Sequence, residues 1–493
     1  MTAKPATIAV IGAGVAGLVT AKTFLARGLD CTVFEAGSRL GGVWADGYSG
    51  FGVQVQRELY EFPDWPLPAD VPDFTPGPTI QGYLEDYARH FDVWPRIAFD
   101  TRVVALRRDP SGGWLLTTQH AGAATERHFD FVVVCTGLFS NRPHRPSFAG
   151  EADFRGEILH IGGLKDPERL RGRRVAVLGF GKSASDAALE AAAVAASTTI
   201  VFRAPHWPVP ALLLGILPFK WAMLNRLTSS LLPPYYRRSA LERGLHSLGK
   251  PLVWLWWRIV EGLLVAQFGL HSRGGTRPSL VPREPIEREA FSEAVMLPRP
   301  AFYRALRSGA IEPLQTEIAR LTATGAEFTN GLARDFDTLV LATGWETDYG
   351  WLAEELRTLL HFDDDGLYLY RQIVPPDVPG LAFVGYASTI TSTLTYNLQA
   401  RWLADLIAGR HALPPVAEMH GNLAAQRAWK RRTMPFSRGR AARLLLHMLH
   451  YHDELMSDLG LTPLRKRGWY APFKEVFAPY EPRDYRDVAA DRE

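Results

Sequence analysis

The chain has 493 residues, 47% apolar and 22% charged, with a formal net charge of +3. That length exceeds a single core and predicts two or three domains of ordinary soluble composition. The nearly balanced charge, with no long basic run or aromatic-basic ladder, speaks against a nucleic-acid partner.

Ile8, Val10 and Ile11 form the short apolar run of a buried parallel strand. Gly12, Gly14 and Gly17 follow in G-x-G-x-x-G spacing, and Val15 to Arg27 reads as a helix. A second strand, Cys31 to Phe34, ends at Glu35. This is a βαβ unit for a dinucleotide. Gly12 permits the tight turn, Gly14 lets a pyrophosphate reach the backbone, and Gly17 lets helix and strand pack closely. Glu35 can accept from ribose hydroxyls. The strand begins so soon after Thr7 that a signal peptide is not expected. Cys31 and Cys135 both fall inside apolar strands and read as core residues, which predicts a reducing, cytoplasmic setting.

Arg39-Leu40-Gly41-Gly42-Val43-Trp44 comes next. The glycine pair would let backbone run against a cofactor, with Trp44 flat beside a flavin ring; a plain glycine-rich loop over a core tryptophan reads equally well. Phe62 to Pro78 is expected to be a proline-rich surface loop. Ile80 to Phe91 has helical periodicity, and Val103–Leu106 with Trp114–Thr118 predicts a hairpin turning at Gly112-Gly113. The strand Phe131 to Cys135 ends in Thr136-Gly137.

The opening pattern then repeats. Arg174 to Leu178 is a strand, and Gly179-Phe180-Gly181-Lys182-Ser183-Ala184 is a second phosphate turn with Ala184 in the third glycine's place. A helix from Ser185 and a strand from Thr199 to Phe202 follow, and Arg203 stands where Glu35 stood. An acid at this strand tip accepts from free ribose hydroxyls, whereas Arg pairs with a 2′-phosphate, so the first unit suits FAD and the second NADPH.

Residues 205 to 300 are strongly apolar in two stretches. Pro251 to Leu270 holds Val253-Trp254-Leu255-Trp256-Trp257, interrupted by Arg258 and Glu261. A buried helix or cleft wall is expected there, not a membrane span; an in-plane interfacial helix through 250–270, touching a membrane peripherally, is the alternative. Phe328 to Gly344 predicts a hairpin through Asn330-Gly331 that ends in Thr343-Gly344. That ending parallels Thr136-Gly137 and implies paired crossovers between two nested dinucleotide domains. Leu381 to Gly385 is a last strand, and Ser388 to Ala408 opens as a threonine-rich turn and becomes an amphipathic helix. His447, His450 and His452 lack a carboxylate-bearing partner motif and read as structural; no metal site is expected.

Together these residues resemble the flavin-containing monooxygenase family, the class B flavoprotein monooxygenases. The most specific element is Phe154-x-Gly156-x-x-x-His160, which follows the family's F-x-G-x-x-x-H signature. Four positions on, where Tyr or Phe marks N- and S-oxygenating members and Trp marks Baeyer–Villiger members, stands Leu164. Arg57 to Asp64 resembles the segment beside the isoalloxazine, and the family's Asn near the flavin peroxide falls on Gln54. Leu341-Ala342-Thr343-Gly344 resembles the late A-T-G linker.

The resemblance implies an α/β fold of two nested Rossmann-like dinucleotide domains. A discontinuous FAD domain covers 1–165 and 335–493, the second part including the tail. It encloses an NADPH domain over 166–334 with a mainly helical insertion at about 205–300. The implied chemistry is reduction of FAD by NADPH and addition of O2 to give a C4a-(hydro)peroxyflavin, shielded by NADP⁺. A nitrogen or sulfur of a small substrate takes the oxygen. Gln54 and His160 are the implied catalytic and linker-orienting residues, with a satisfied core histidine an equal reading of His160. Cofactor contacts are expected from Gly12, Gly14, Gly17, Glu35, Arg39, Gly42, Val43, Trp44, Val53, Gln54, Val103, Thr136, Gly137, Gly179, Gly181, Lys182, Ser183, Ala184, Asp186, Arg203, Thr343 and Gly344. Baeyer–Villiger oxidation of a ketone, an NADPH oxidase or electron-transfer flavoprotein, and a membrane-associated nucleotide sensor are the competing readings.

Overall fold

The computed structural model describes residues 7–139, 142–271, 278–289 and 299–489. The first six and last four residues, and 272–277 and 290–298 of the expected insertion, lie outside them.

Two five-stranded sheets, each wholly parallel, organise the chain. The first runs in the order Leu381–Phe383, Phe131–Val134, Ile8–Ile11, Cys31–Phe34, Ile97–Ala98. The second runs Glu312–Gln315, Ser197–Phe202, Arg174–Leu178, Thr338–Leu341, Glu157–His160. Parallel sheets need cover on both faces, which is why Ile8–Ile11 and Phe131–Val134 are unbroken apolar runs and why they and Thr338–Leu341 are buried at every residue. The second sheet is wider than the range 166–334. It takes in Glu157–His160 and Thr338–Leu341, which pair with each other in parallel beside Arg174–Leu178.

The helix Val15–Ala26 is buried on nearly every side, because the helix Ser392–Ile407 lies across the face it would otherwise turn to water. The hairpin at Gly112-Gly113 forms, with both glycines at positive φ, and gains a third strand, Ala123–Phe129. The stretch from Phe62 is less of a surface loop than its prolines suggest. Phe62 and Leu67 are buried, and the Phe62 ring stacks on Tyr87 at 4.1 Å, an aromatic anchor that outweighs the polar surroundings.

The insertion contributes a short hairpin, Leu212–Leu213 with Leu217–Pro218, and several helices, of which Lys250–Phe268 is the longest described. That helix buries Val253, Trp257, Val260 and Leu264, one narrow stripe at helical spacing. Leu252, Leu255, Trp256 and Ile259 on its other side are exposed. Among the described residues no helix is long and apolar enough to cross a membrane.

Candidate active site

The two glycine turns are built alike. Gly12, at φ +103°, has no room for a side chain: a Cβ would lie 2.8 Å from the Cys135 carbonyl oxygen. Gly179, at φ +132°, is pressed in the same way by the Ala342 carbonyl, at 2.6 Å. Each carbonyl belongs to the residue before a Thr-Gly pair, so Thr136-Gly137 and Thr343-Gly344 close over the two turns. Gly14 and Gly181 are the N-caps of the helices Val15–Ala26 and Lys182–Val194, and neither helix has a side-chain cap. A Cβ on Gly14 would meet only the Gly42 backbone, from 3.8 Å, and one on Gly181 would meet nothing within 4 Å. Neither helix N-terminus is thus closed by a side-chain cap, and such a terminus is where an anion is best accommodated.

Glu35 is tied into the first turn. Its carboxylate accepts from the Ala13 N–H and the Gly37 N–H, both at 2.8 Å. Thr101 N–H donates to the Glu35 carbonyl at 2.8 Å, which brings the strand carrying Val103 alongside. Arg203, at the matching tip, leaves its guanidinium at the surface and uses its backbone carbonyl to accept from Gln315 Nε2 at 3.2 Å.

Gly42 lies against Gly14, and Gly41 N–H donates to the Ala13 carbonyl at 2.8 Å. Arg39 turns outward to Glu85 at 3.1 Å, and Val43 is exposed. Trp44 is buried, stacked on Phe51 at 5.8 Å, and its Nε1–H donates to the Tyr60 hydroxyl at 2.8 Å. A further hydrogen bond joins Tyr60 to Ser392, and burial pushes the Tyr60 phenol far up, so it stays protonated. Tyr60 lies in the segment Arg57 to Asp64 expected beside the isoalloxazine, and Ser392 lies in the stretch from Ser388 that opens as a threonine-rich turn, but the contact between them was not foreseen. Val53 is buried, Gln54 is exposed, and Gln56 is half-buried.

His160 joins the two crossovers. Its Nδ1 accepts from the Gly162 N–H at 3.2 Å, so its proton sits on Nε2, which donates to the Gly344 carbonyl at 3.1 Å. Burial lowers its pKa and favours this neutral form. The crossover segments themselves pair, Arg142–Pro143 with Trp345–Glu346. Thr343 Oγ1 donates to the His144 carbonyl at 2.5 Å, and the His144 imidazole meets Glu346 at 2.7 Å. His144 was not foreseen.

Lys182 and Asp186, on the first turns of the second helix, bind each other. Ser183 and Tyr48 share a side-chain hydrogen bond. The methyl of Ala184 comes 3.5 Å from the position of a Cβ on Gly179. The three tail histidines have protein partners: His447 with the Pro233 carbonyl at 2.8 Å, His450 with Glu242 at 2.5 Å and His452 with Thr395 at 2.8 Å. Burial pushes His447 and His452 down to about 3. No group of three or more possible metal ligands occurs among the described residues.

The model of the flavin-binding monooxygenase-like family matches residues 5–237 and 300–487. A mouse relative, "Dimethylaniline monooxygenase [N-oxide-forming] 2", is 29% identical over 478 residues, covering 92% of this chain and 83% of that protein. Among solved structures, S-allyl-L-cysteine S-oxygenase from Allium sativum is similar with a TM-score of 0.63 and 19% identity, over 99% of this chain and 94% of that one. An oxidized steroid monooxygenase bound to NADP is similar with a TM-score of 0.65 and 22% identity, over 96% and 99%.

Proposed function

This chain belongs to the flavin-binding monooxygenase-like family, and we propose that it uses FAD and NADPH to place one atom of O2 on a nitrogen or sulfur of a small organic substrate. The observation that carries the reading is the pair of like-built glycine turns, differing at their strand tips and joined by paired crossovers. The residues fit the two cofactors. Open backbone at Gly14 and Gly181 leaves room for a pyrophosphate at each helix N-terminus. Glu35 keeps lone pairs for ribose hydroxyls, and the exposed Arg203 suits a 2′-phosphate. Gln56 Oε1 and Asn397 Nδ2 are shut from water with no hydrogen-bond partner among the described residues, as atoms awaiting a polar heterocycle would be.

Bound there, the flavin reduced by NADPH supplies the activated oxygen. The protein's part is position and dryness. The Gly12 and Gly179 turns fix the two phosphate groups, Trp44 and Tyr60 wall the first site, and neutral His160 ties the crossovers at Gly344. The N-oxide-forming and S-oxygenase names of similar proteins support a soft nucleophile as acceptor. The test is NADPH- and O2-dependent conversion of N,N-dimethylaniline or a methyl sulfide, with ¹⁸O2 as label. Labelled N- or S-oxide is expected; oxygen inserted into a ketone instead, or hydrogen peroxide alone, would replace this reading.

The outward face of Lys250–Phe268 favours an anionic bilayer surface as a further partner. Leu252, Leu255, Trp256 and Ile259 are exposed there, and residues 205–270 hold seven Lys and Arg against two acids. Both acids are engaged, Glu242 with His450 and Glu261 with Arg258, while Lys220, Arg226 and Arg237 pair with acids outside the stretch, so the surplus for a surface comes down to Arg238, Arg243 and Lys250. The protein should sediment with phosphatidylglycerol vesicles and stay behind with zwitterionic ones; a dimer broken by Leu255→Ser would assign the face to a second copy instead.

A further inference from the structure

Asp186 is fully buried on the second turn of Lys182–Val194, yet it carries a carboxylate. Three groups from three places meet it. Lys182, one turn earlier on the same helix, donates its ammonium. Tyr48, from the segment following the first glycine unit, donates its hydroxyl at 2.8 Å. Arg299, just before the helix Pro300–Ser308, brings its Nε to 3.1 Å. Arg299 also meets Glu190 at 3.2 Å and donates to the Gly50 carbonyl. Two cations thus balance two carboxylates, which is what keeps a buried charge tolerable. Burial and the Asp186 charge both push the Tyr48 phenol up, so it stays a donor.

The same short segment is fastened twice more. Ser49 N–H donates to the Leu164 carbonyl at 2.7 Å, and Lys165 Nζ reaches Asp46 Oδ1 at 2.6 Å and the Gly47 carbonyl at 3.1 Å. Residues 46–50 lead out of the first sheet's unit, while Asp186 and Glu190 ride on a helix of the second. Gly50, at φ +70°, lies so close that a Cβ would come within 2.5 Å of Glu190 Oε1. The segment is seated on that helix, not merely beside it.

We propose that Tyr48, Asp186 and Arg299 form the joint that sets the second dinucleotide unit against the first, and so position the nicotinamide over the flavin. This rests on the two-cofactor reading. Asp186 sits one helical turn beyond the glycine turn, so a tilt of this helix at the joint is carried straight to the bound nucleotide. Hydride transfer depends steeply on approach distance, and a misplacement of 1 Å costs up to about 10²-fold. The three are positioning residues: each acts through the helix.

Tyr48→Phe removes one hydroxyl and keeps the ring, so it tests the joint with little threat to folding; Asp186→Asn is the companion. In anaerobic stopped flow the limiting rate of flavin reduction by NADPH should fall about tenfold in each, within the range for misplacement. Half-saturating NADPH and flavin content should stay at the parent's values; the melting temperature should change little in Tyr48→Phe and fall in Asp186→Asn, which leaves two cations against one carboxylate. The double variant should be no slower than either single one, since both break one network. Hydrogen exchange, measured without NADPH, should speed up at residues 46–50 in Tyr48→Phe. Reduction at the parent's rate, effects that multiply in the double variant, or unchanged exchange at 46–50 would each overturn the joint. A parent protein that NADPH does not reduce would overturn the two-cofactor reading instead, and the exchange result would still judge the joint.

Discussion

The two glycine turns share one backbone plan and differ in how tightly it is drawn. In the first, a Cβ on Gly17 would sit 1.8 Å from the Gly12 carbonyl oxygen, so helix and strand touch backbone to backbone. In the second the corresponding residue is Ala184, whose methyl is accommodated 3.5 Å from the place of a Cβ on Gly179. The third glycine of the fingerprint is therefore a measure of approach, not of phosphate binding. The strand tips differ as well. Glu35 is locked to two backbone N–H groups, while the Arg203 side chain is left at the surface.

The largest effect that follows is at Gly17. Gly17→Ala should abolish soluble, flavin-containing protein, because no side-chain motion relieves a backbone collision at that distance. The mirror change, Ala184→Gly, should cost only about 0.5–1 kcal/mol, glycine's penalty in a helix. Thermal melts of the two variants decide it. Equal losses would mean that the turns are equally tight.

Gly14→Ala comes next and separates binding from folding. The added methyl meets only Gly42, from 3.8 Å, so the apoprotein should melt as the parent does. It would still fill the room left for a pyrophosphate, and purified protein should be colourless. Full flavin occupancy would take this turn out of the FAD site.

Arg203→Ala sharpens the contrast at the strand tips. NADPH binding should weaken by about 1.5–3 kcal/mol, the range for a charged hydrogen bond, with NADH nearly unaffected. Equal losses for the two nucleotides in a titration would give Arg203 another task.

The same contrast explains what the sequence could disclose. Both βαβ units were legible because a tight turn, a helix start and a strand tip each demand one residue type at one spacing. The paired Thr-Gly strand ends were legible for the same reason: Cys135 and Ala342 press their carbonyls on Gly12 and Gly179. The joint at Asp186 was not legible. Tyr48 and Arg299 stand 138 and 113 positions away from it, and neither carries a local pattern. Asp186 was expected among the cofactor contacts, and its protein partners Tyr48, Lys182 and Arg299 were not foreseen. The insertion yielded its apolar helix, but the exposure of Leu252, Leu255 and Ile259 depends on what the fold leaves uncovered. Phe62 was hidden by its prolines, since ring stacking on Tyr87 leaves no periodicity to read.

The smallest effect concerns two neighbouring amides. Gln54 was expected in the place of the family's asparagine, but its side chain is exposed. Gln56, two residues on, is half-buried, and its Oε1 is shut from water with no hydrogen-bond partner among the described residues. The chain bends at Gln54 and Val55, just before the 3-10 turn Arg57–Leu59, so the two amides are separate candidates for the same role. On the proposed function, an amide in that role would donate to the reacting oxygen and keep it from being lost to water. Gln54→Leu should leave NADPH-driven flavin reduction intact, since hydride transfer does not need the amide. The share of NADPH consumption released as hydrogen peroxide should rise several-fold, the worth of a single hydrogen bond of about 0.5–1.5 kcal/mol. Gln56→Leu is the internal control, measured with the same substrate and oxygen concentration. A Gln54 variant as well coupled as the parent, beside a leaky Gln56 variant, would move the role to the buried amide and show that burial, not register, selects the donor.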